Sequence, residues 1–434
     1  MTEAPRPEAQ ANSTLLLRNG RLLDVVAGDY TEGDLLAVDG RIAEAGPGLT
    51  APAGAEVRDL RGAFVLPGLI DAHVHVTAFT ADLASLAETS PFYLAAHVAK
   101  IMSGMLDRGF TTVRDVAGGD YGTAAAQAEG LIRGPRLFFG GRALSQTGGH
   151  GDSRGPGRYV IDEHATGADC RIADGVDAVR AAARDELRKG SHHIKVMASG
   201  GVASPTDRID SVQYSMDELR AVVDEAAAVN RYVAAHAYTA RAVNRAIEAG
   251  IRSIEHGNLI DDSSVALLAD PGRDVFLVPT LVTYWALKRE GRESGMPERS
   301  WRKVDEVLDA GLSSLERAYR GEVRLVFGTD LLGGMHRHQN EEFRIRAEVQ
   351  RPLDVIRSAT SEAAVLLRAE GQLGTLTIGA HADMVVLDGD PLHDIGVLAD
   401  PAAHMPLVVQ GGAVVRDASS LRRNHRCARG PGRW

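Results

Sequence analysis

Cysteine is nearly missing from this sequence: 434 residues hold only Cys170 and Cys427. Two thiols so far apart give no disulfide framework and no CxxC metal pair. Cationic excess is missing as well. Lys and Arg total 48 against 58 Asp and Glu, a formal charge of -10, which argues against nucleic acid or an anionic membrane as partner. No uninterrupted apolar run approaches the length of a membrane span. The opening stretch MTEAPRPEAQANS lacks the basic and apolar regions of a secretory leader, so the expected location is the cytoplasm. What is present is ordinary: 44% hydrophobic and 24% charged residues, the composition of a globular protein with ample core. The length suits two or three average domains, or one large barrel with a smaller module.

The two ends of the chain read alike. TLLLRNGRLLDV carries Asn19-Gly20 between apolar runs, and LLAVDGRIAEAG carries Asp39-Gly40. Near the other end, PLVVQGGAVVRD carries Gly411-Gly412. Each pair is a two-residue hairpin signal, so a composite β-sandwich domain is expected from residues 1–66 and 368–434. The last stretch, SSLRRNHRCARGPGRW, is basic and glycine-rich and reads as a mobile tail.

Between them, apolar strand candidates alternate with helical stretches. The strands are GLIDAHVHV (68–76), FTTVRDV (110–116), RLFFGGRAL (136–144), HHIKVMAS (192–199), YVAAHA (232–237), SIEHG (253–257), VFLVPTL (275–281) and RLVFGTD (324–330). SMDELRAVVDEAAAVN opens on Ser215 with Glu218 three residues later, a capping box. TARAVNRAIEAG is a second helix, closing at Gly250. Eight strands alternating with helices predict an α/β fold, a (β/α)8 TIM barrel over residues 67–367.

Polar residues gather at the strand ends. His73 and His75 share one face of the first strand. Lys195 is on the fourth strand, His236 on the fifth, His256 on the sixth and Asp330 on the eighth. A single HVH, HAY or EHG usually marks a packed histidine, and a lone lysine in IKVM usually snorkels to water. Six such residues at the end where barrel enzymes keep their chemistry form a site. Imidazoles with a carboxylate suit a divalent transition metal, zinc above all. Six positions exceed the needs of one four-coordinate ion, which points to two.

The order PGLIDAHVH, strand-four lysine, histidines on strands five and six and aspartate on strand eight resembles the amidohydrolase superfamily, in its binuclear branch. The stretch GTLTIGAHADMVVLD (374–388), with Gly374, Gly379 and Ala382-Asp383, fits that superfamily's β-module. The resemblance implies that CO2 converts Lys195 to a carbamate bridging two Zn2+ ions. His73, His75 and Asp330 would then bind the more buried ion, and His236 and His256 the other. It implies amide hydrolysis by a metal-bridging hydroxide, with Asp330 moving the proton from water to the leaving amine.

LSQTGGHGD with His150, HAYT with Tyr238, SGGVASP and GTDLLGGMHRHQNEEF are similar to the branch holding Xaa-Pro dipeptidases, imidazolonepropionase-like enzymes, ochratoxin-type and phenylurea amidohydrolases. That resemblance assigns Tyr238 to the substrate's carboxylate and His150 to the oxyanion. The plainer readings are a loop-ordering residue for His150 and a core residue for Tyr238. His336 is a further substrate-contact candidate, with His338 and Gln339 beside it. Arg114-Asp115 reads as a loop-ordering pair, and Tyr232 and Trp285 as pocket wall or core. The expected substrate is a small dipeptide or N-acyl amino acid, and the expected assembly a homo-oligomer. Neutral amides, ureas or carbamates are the alternative, with ester hydrolysis and a non-catalytic metal-binding barrel behind them. Deamination fits less well, because AYTA after His236 carries no acid.

Overall fold

A computed structural model describes residues 14–159, 167, 169–204 and 206–418. The stretch SSLRRNHRCARGPGRW, with Cys427, lies outside them. The chain divides into two units: residues up to 70 with 105–111 and those from 352 on, and residues 71–104 with 112–351.

The first unit contains an eight-stranded sheet drawn from both ends of the sequence. Strand Thr14–Asp24 pairs antiparallel with Asp29–Val38, and Met384–Leu387 pairs antiparallel with Phe64–Pro67. Asp39 and Gly40, at φ 49° and 78°, turn the chain into the strand Arg41–Gly46. Gly411 and Gly412, at φ 55° and 75°, do the same between Leu407–Gln410 and Ala413–Asp417. Two successive positive φ values define the mirror-image turn that matches strand twist. Asn19-Gly20 departs from expectation. It lies inside one continuous strand, where the register slips between Leu17 and Gly20 and Asn19 has φ 55°. The extra residue is absorbed as a bulge, because Arg21–Asp24 continues to pair with the same neighbour.

The strands of a (β/α)8 barrel are drawn mainly from the second unit. Strands Leu69–Val74, Phe110–Asp115 and Arg136–Phe139 are neighbours in that order. Ala143–Ser145, His193–Met197, Tyr232–Thr239, Ser253–Leu259 and Phe276–Val278 make a parallel run. The His192 N–H donates to the Phe139 carbonyl at 2.8 Å and joins the two runs. Residues 324–330 close the ring as an extended segment with one regular bridge, Leu277 to Leu325. Val326 N–H donates to Leu277 and Ala72 N–H to Phe327, both at 2.9 Å. The third strand breaks at Gly140, where a Cβ would stand 2.8 Å from His193 Nε2 and 3.0 Å from the Val116 carbonyl. No side chain fits there.

Strand periodicity places the chemistry inside. Ile194 and Val196 point outward into the apolar layer with Val179 and Val222, so His193, Lys195 and Met197 point into the barrel. The helix Met216–Ala228 starts at Ser215 with both bonds of the capping box to Glu218. Thr239 caps Ala240–Glu248, and Gly250 beyond it has φ 94°. Among the described residues no helix is long and apolar enough to cross a membrane.

Candidate active site

All six residues expected as metal ligands line one cavity of ≈ 200 Å³ in the barrel unit, and His150 and Tyr238 line it with them. Asp330 Oδ1 stands 3.1 Å from His75 Nε2 and 3.4 Å from His73 Nε2. The ligating atoms of His73, His256 and Asp330 all lie within 4.8 Å of one another. The His236 ring centroid is 4.6 Å from that of His256. In strand register Met197 faces His236 and Lys195 faces Ala234.

Two of these residues reach the site only through unusual backbone. Along Ser253–Leu259 the alternation of faces points Glu255 inward and His256 outward. His256 has φ 75°, and this left-handed kink turns its ring back into the barrel. Asp330 has φ 53°. Such conformations in non-glycine residues cluster at functional sites.

One ring nitrogen of His73, of His75 and of His236 is committed to a partner outside the cluster. His73 Nδ1 meets Glu255 Oε2 at 2.7 Å, and His75 Nδ1 meets the Ala117 carbonyl at 2.9 Å. His236 Nε2 meets the Gly200 carbonyl at 3.1 Å. These oxygens only accept, so the histidine nitrogen carries the proton and the opposite nitrogen keeps a lone pair. His256 Nδ1 lies 2.8 Å from Thr280 Oγ1 and 3.1 Å from the Tyr284 hydroxyl. Imidazole nitrogens beside a carboxylate, with the His73, His75 and His236 rings each held through one nitrogen so that the other keeps its lone pair, are a donor set suited to a divalent metal. The residues fit the ions.

Lys195 is 2% exposed and makes no hydrogen bond or ion pair among the described residues. Burial is the largest influence on its ammonium and brings it down to about 8. Beneath the site Arg114, buried on the second strand, bonds Glu255 Oε1 at 2.9 Å and Ser253 Oγ at 3.1 Å. Burial works against the Glu255 carboxylate, but Arg114 and the His73 bond outweigh it and hold it well below the usual carboxylate range. Arg114→Met is expected to cost about 3–5 kcal/mol, since it strands a buried carboxylate. Denaturant unfolding of the metal-free protein measures this, and a loss below about 1 kcal/mol would show that Glu255 needs no partner. Asp115 takes a different part. Its oxygens accept from Val76 N–H at 2.6 Å and Gly119 N–H at 2.8 Å, ordering the chain after each strand.

His150 stacks on His236 with centroids 4.2 Å apart, and burial pushes its imidazole down to about 4. The Tyr238 oxygen accepts from the Tyr284 hydroxyl at 2.9 Å and from the Val202 backbone. Its own proton is left to donate into the cavity. His336 is placed elsewhere: its Nε2 lies 3.0 Å from the Ala78 carbonyl, away from the cavity lining. His338 pairs with Glu290 at 2.8 Å, and Gln339 donates to the buried Asp71 at 2.8 Å. Trp285 packs edge-on against His338, and Tyr232 stacks on His193. Thr283, Tyr284, Asp169, Cys170 and Arg299 also line the cavity. Sequence reading missed them, and only the position of Thr283 and Tyr284 just past the seventh strand could have signalled any.

Comparison with known proteins places this geometry. The model of the amidohydrolase family matches residues 64–414. Ochratoxinase of Aspergillus niger is 34% identical over 356 residues, covering 78% of this chain and 73% of that protein. A crystal structure of a prolidase complexed with N-methylphosphonate-L-proline is 48% identical with TM-score 0.91, covering 93% of this chain and 100% of that one. A Xaa-Pro dipeptidase with bound methionine in the active site is 28% identical with TM-score 0.82, covering 93% and 99%.

Proposed function

This chain belongs to the amidohydrolase family, and on that premise we propose that it cleaves the amide bond of a dipeptide or N-acyl amino acid whose leaving amine carries a free carboxylate. The observation that carries the reading is one cavity lined by the histidine and aspartate cluster, the buried Lys195 and Tyr238. The prolidase with its proline phosphonate and the Xaa-Pro dipeptidase support an amino or imino acid as leaving group.

His73, His75, His236, His256, Asp330 and carboxylated Lys195 would hold two divalent ions, zinc by donor type. When bound, these ions supply Lewis acidity toward the carbonyl and toward water. The rest falls to side chains of this protein. An Asp330 carboxylate oxygen takes the proton of the attacking water and delivers it to the departing amine nitrogen. Tyr238 donates its phenolic proton to the substrate carboxylate. His150, stacked on the His236 ring and lining the same cavity, steadies the oxygen of the tetrahedral state.

Amidation of the substrate carboxylate tests the reading. A buried donor left without its partner costs about 1–3 kcal/mol, so kcat/KM for the C-terminal amide should fall roughly tenfold or more. Tyr238→Phe should narrow the gap between acid and amide. If the amide is cleaved as fast as the acid, or neutral phenylureas are preferred, the carboxylate reading fails and general amide hydrolysis remains.

A further inference from the structure

His150 is held by residues outside the histidine and aspartate cluster, of which Ser204 also lines the cavity. Its Nδ1 lies 2.9 Å from Ser204 Oγ, and its backbone N–H donates to Gln213 Oε1 at 2.8 Å. Ser204 Oγ bonds Asp207 Oδ1. The same carboxylate accepts from Gly201 N–H at 3.1 Å and from Gln213 Nε2 at 3.0 Å. Asp207 is therefore the hub of both routes to His150, and its side chain is 3% exposed.

A buried carboxylate requires a counter-charge. Lys303 supplies it, with Nζ 3.5 Å from Asp207 Oδ1. The ammonium also spends its three protons on backbone: the Gly201 carbonyl at 3.0 Å, Ser204 at 3.0 Å and Asp207 at 2.8 Å. An ammonium has three donors, so none is left over. Gly201 adds a steric limit, because a Cβ there would stand only 2.5 Å from both ring nitrogens of His150 and closer still to its Cε1. The ring thus lies in a slot between the bare Gly201 backbone and the His236 ring.

We propose that Lys303 and Asp207 are positioning residues for His150. Lys303 fastens the backbone at Gly201, Ser204 and Asp207, and Asp207, through Ser204 and Gln213, fixes the ring so that its remaining nitrogen addresses one point of the cavity. The catalytic part rests on the function proposed above; the clamp itself does not.

Two measurements separate them. The first uses no substrate: amide hydrogen exchange at Gly201, Val202, His150 and Gly151 should speed up at least tenfold in Lys303→Met. Lys303→Arg should not restore protection, because a planar guanidinium cannot point three donors at three carbonyls around one atom. Unchanged exchange in Lys303→Met would overturn the clamp, whatever the enzyme hydrolyses. The second is a double-mutant cycle on hydrolysis. Lys303→Met and Asp207→Asn should each lower kcat about 10- to 100-fold with KM within about threefold, because His150 acts on the tetrahedral state. In a His150→Ala background both effects should shrink below about threefold. Full effects that persist without His150, or a rise in KM with kcat unchanged, would show that the pair acts elsewhere. Wild-type protein inert toward every amide with an intact exchange result would overturn the functional reading and leave the clamp standing.

Discussion

Lys195→Ala is expected to lose divalent metal and hydrolytic activity together. The lysine projects inward from His193–Met197 and is 2% exposed, with no hydrogen bond or ion pair among the described residues. A stably charged ammonium would need a counter-ion at such a position. Burial instead brings it down to about 8, so a useful fraction is neutral amine near neutral pH. That amine can attack the carbon of CO2; the new C–N bond forms, the nitrogen loses a proton and a carboxylate results. The product would supply an anionic ligand where the fourth strand has no Asp or Glu. Replacing outer-sphere partners of metal ligands costs 10- to 100-fold in affinity, so removing a shared ligand should cost more than ~10². Formate or acetate should restore part of both losses by occupying the vacated space. A Lys195→Ala protein with full metal content and activity would contradict the assignment. So would an unmodified ammonium beside two bound ions.

Asp330→Asn should lower kcat by at least ~10² while KM moves much less, as removal of a proton-transfer group does. The substitution suits this position. Asparagine tolerates left-handed backbone better than most residues, so φ 53° at residue 330 is kept at little cost. Asp330 also faces His73 and His75 at 3.4 and 3.1 Å, so metal content must be measured on the same sample. A metallated, fully active Asn variant would remove Asp330 from proton transfer. A metal-poor variant whose residual activity scales with its metal would assign the loss to binding instead.

The residues involved in these two predictions were legible because strand ends carry local signals. The HVH pair shares a face by simple alternation, and Lys195 stands out as a charge within an apolar strand. His256 was found in the right place for an incomplete reason. Alternation alone would point it outward, and only its φ of 75° brings it in. The adjoining Glu255 went unremarked, although a strand acid next to a histidine was visible, because its partner Arg114 is 141 positions away. Asp207 and Lys303 were out of reach for the same reason; their contacts to each other span 96 residues. His336 shows the converse, a polar residue after strand eight whose ring is bound by the Ala78 carbonyl. The Asn19-Gly20 bulge was misread as a turn because the dipeptide encodes left-handed φ, not chain reversal. Sequence carries local conformation well, and contacts between distant segments poorly.

The central claim is a two-metal hydrolytic site, and a metal titration tests it most directly. Metal-free protein would be titrated with Zn2+ in the presence of bicarbonate, with bound zinc and hydrolysis of a dipeptide followed in the same samples. The account predicts that both rise together and level off at two equivalents per chain. Full activity reached at one equivalent, with no second ion bound, would contradict it.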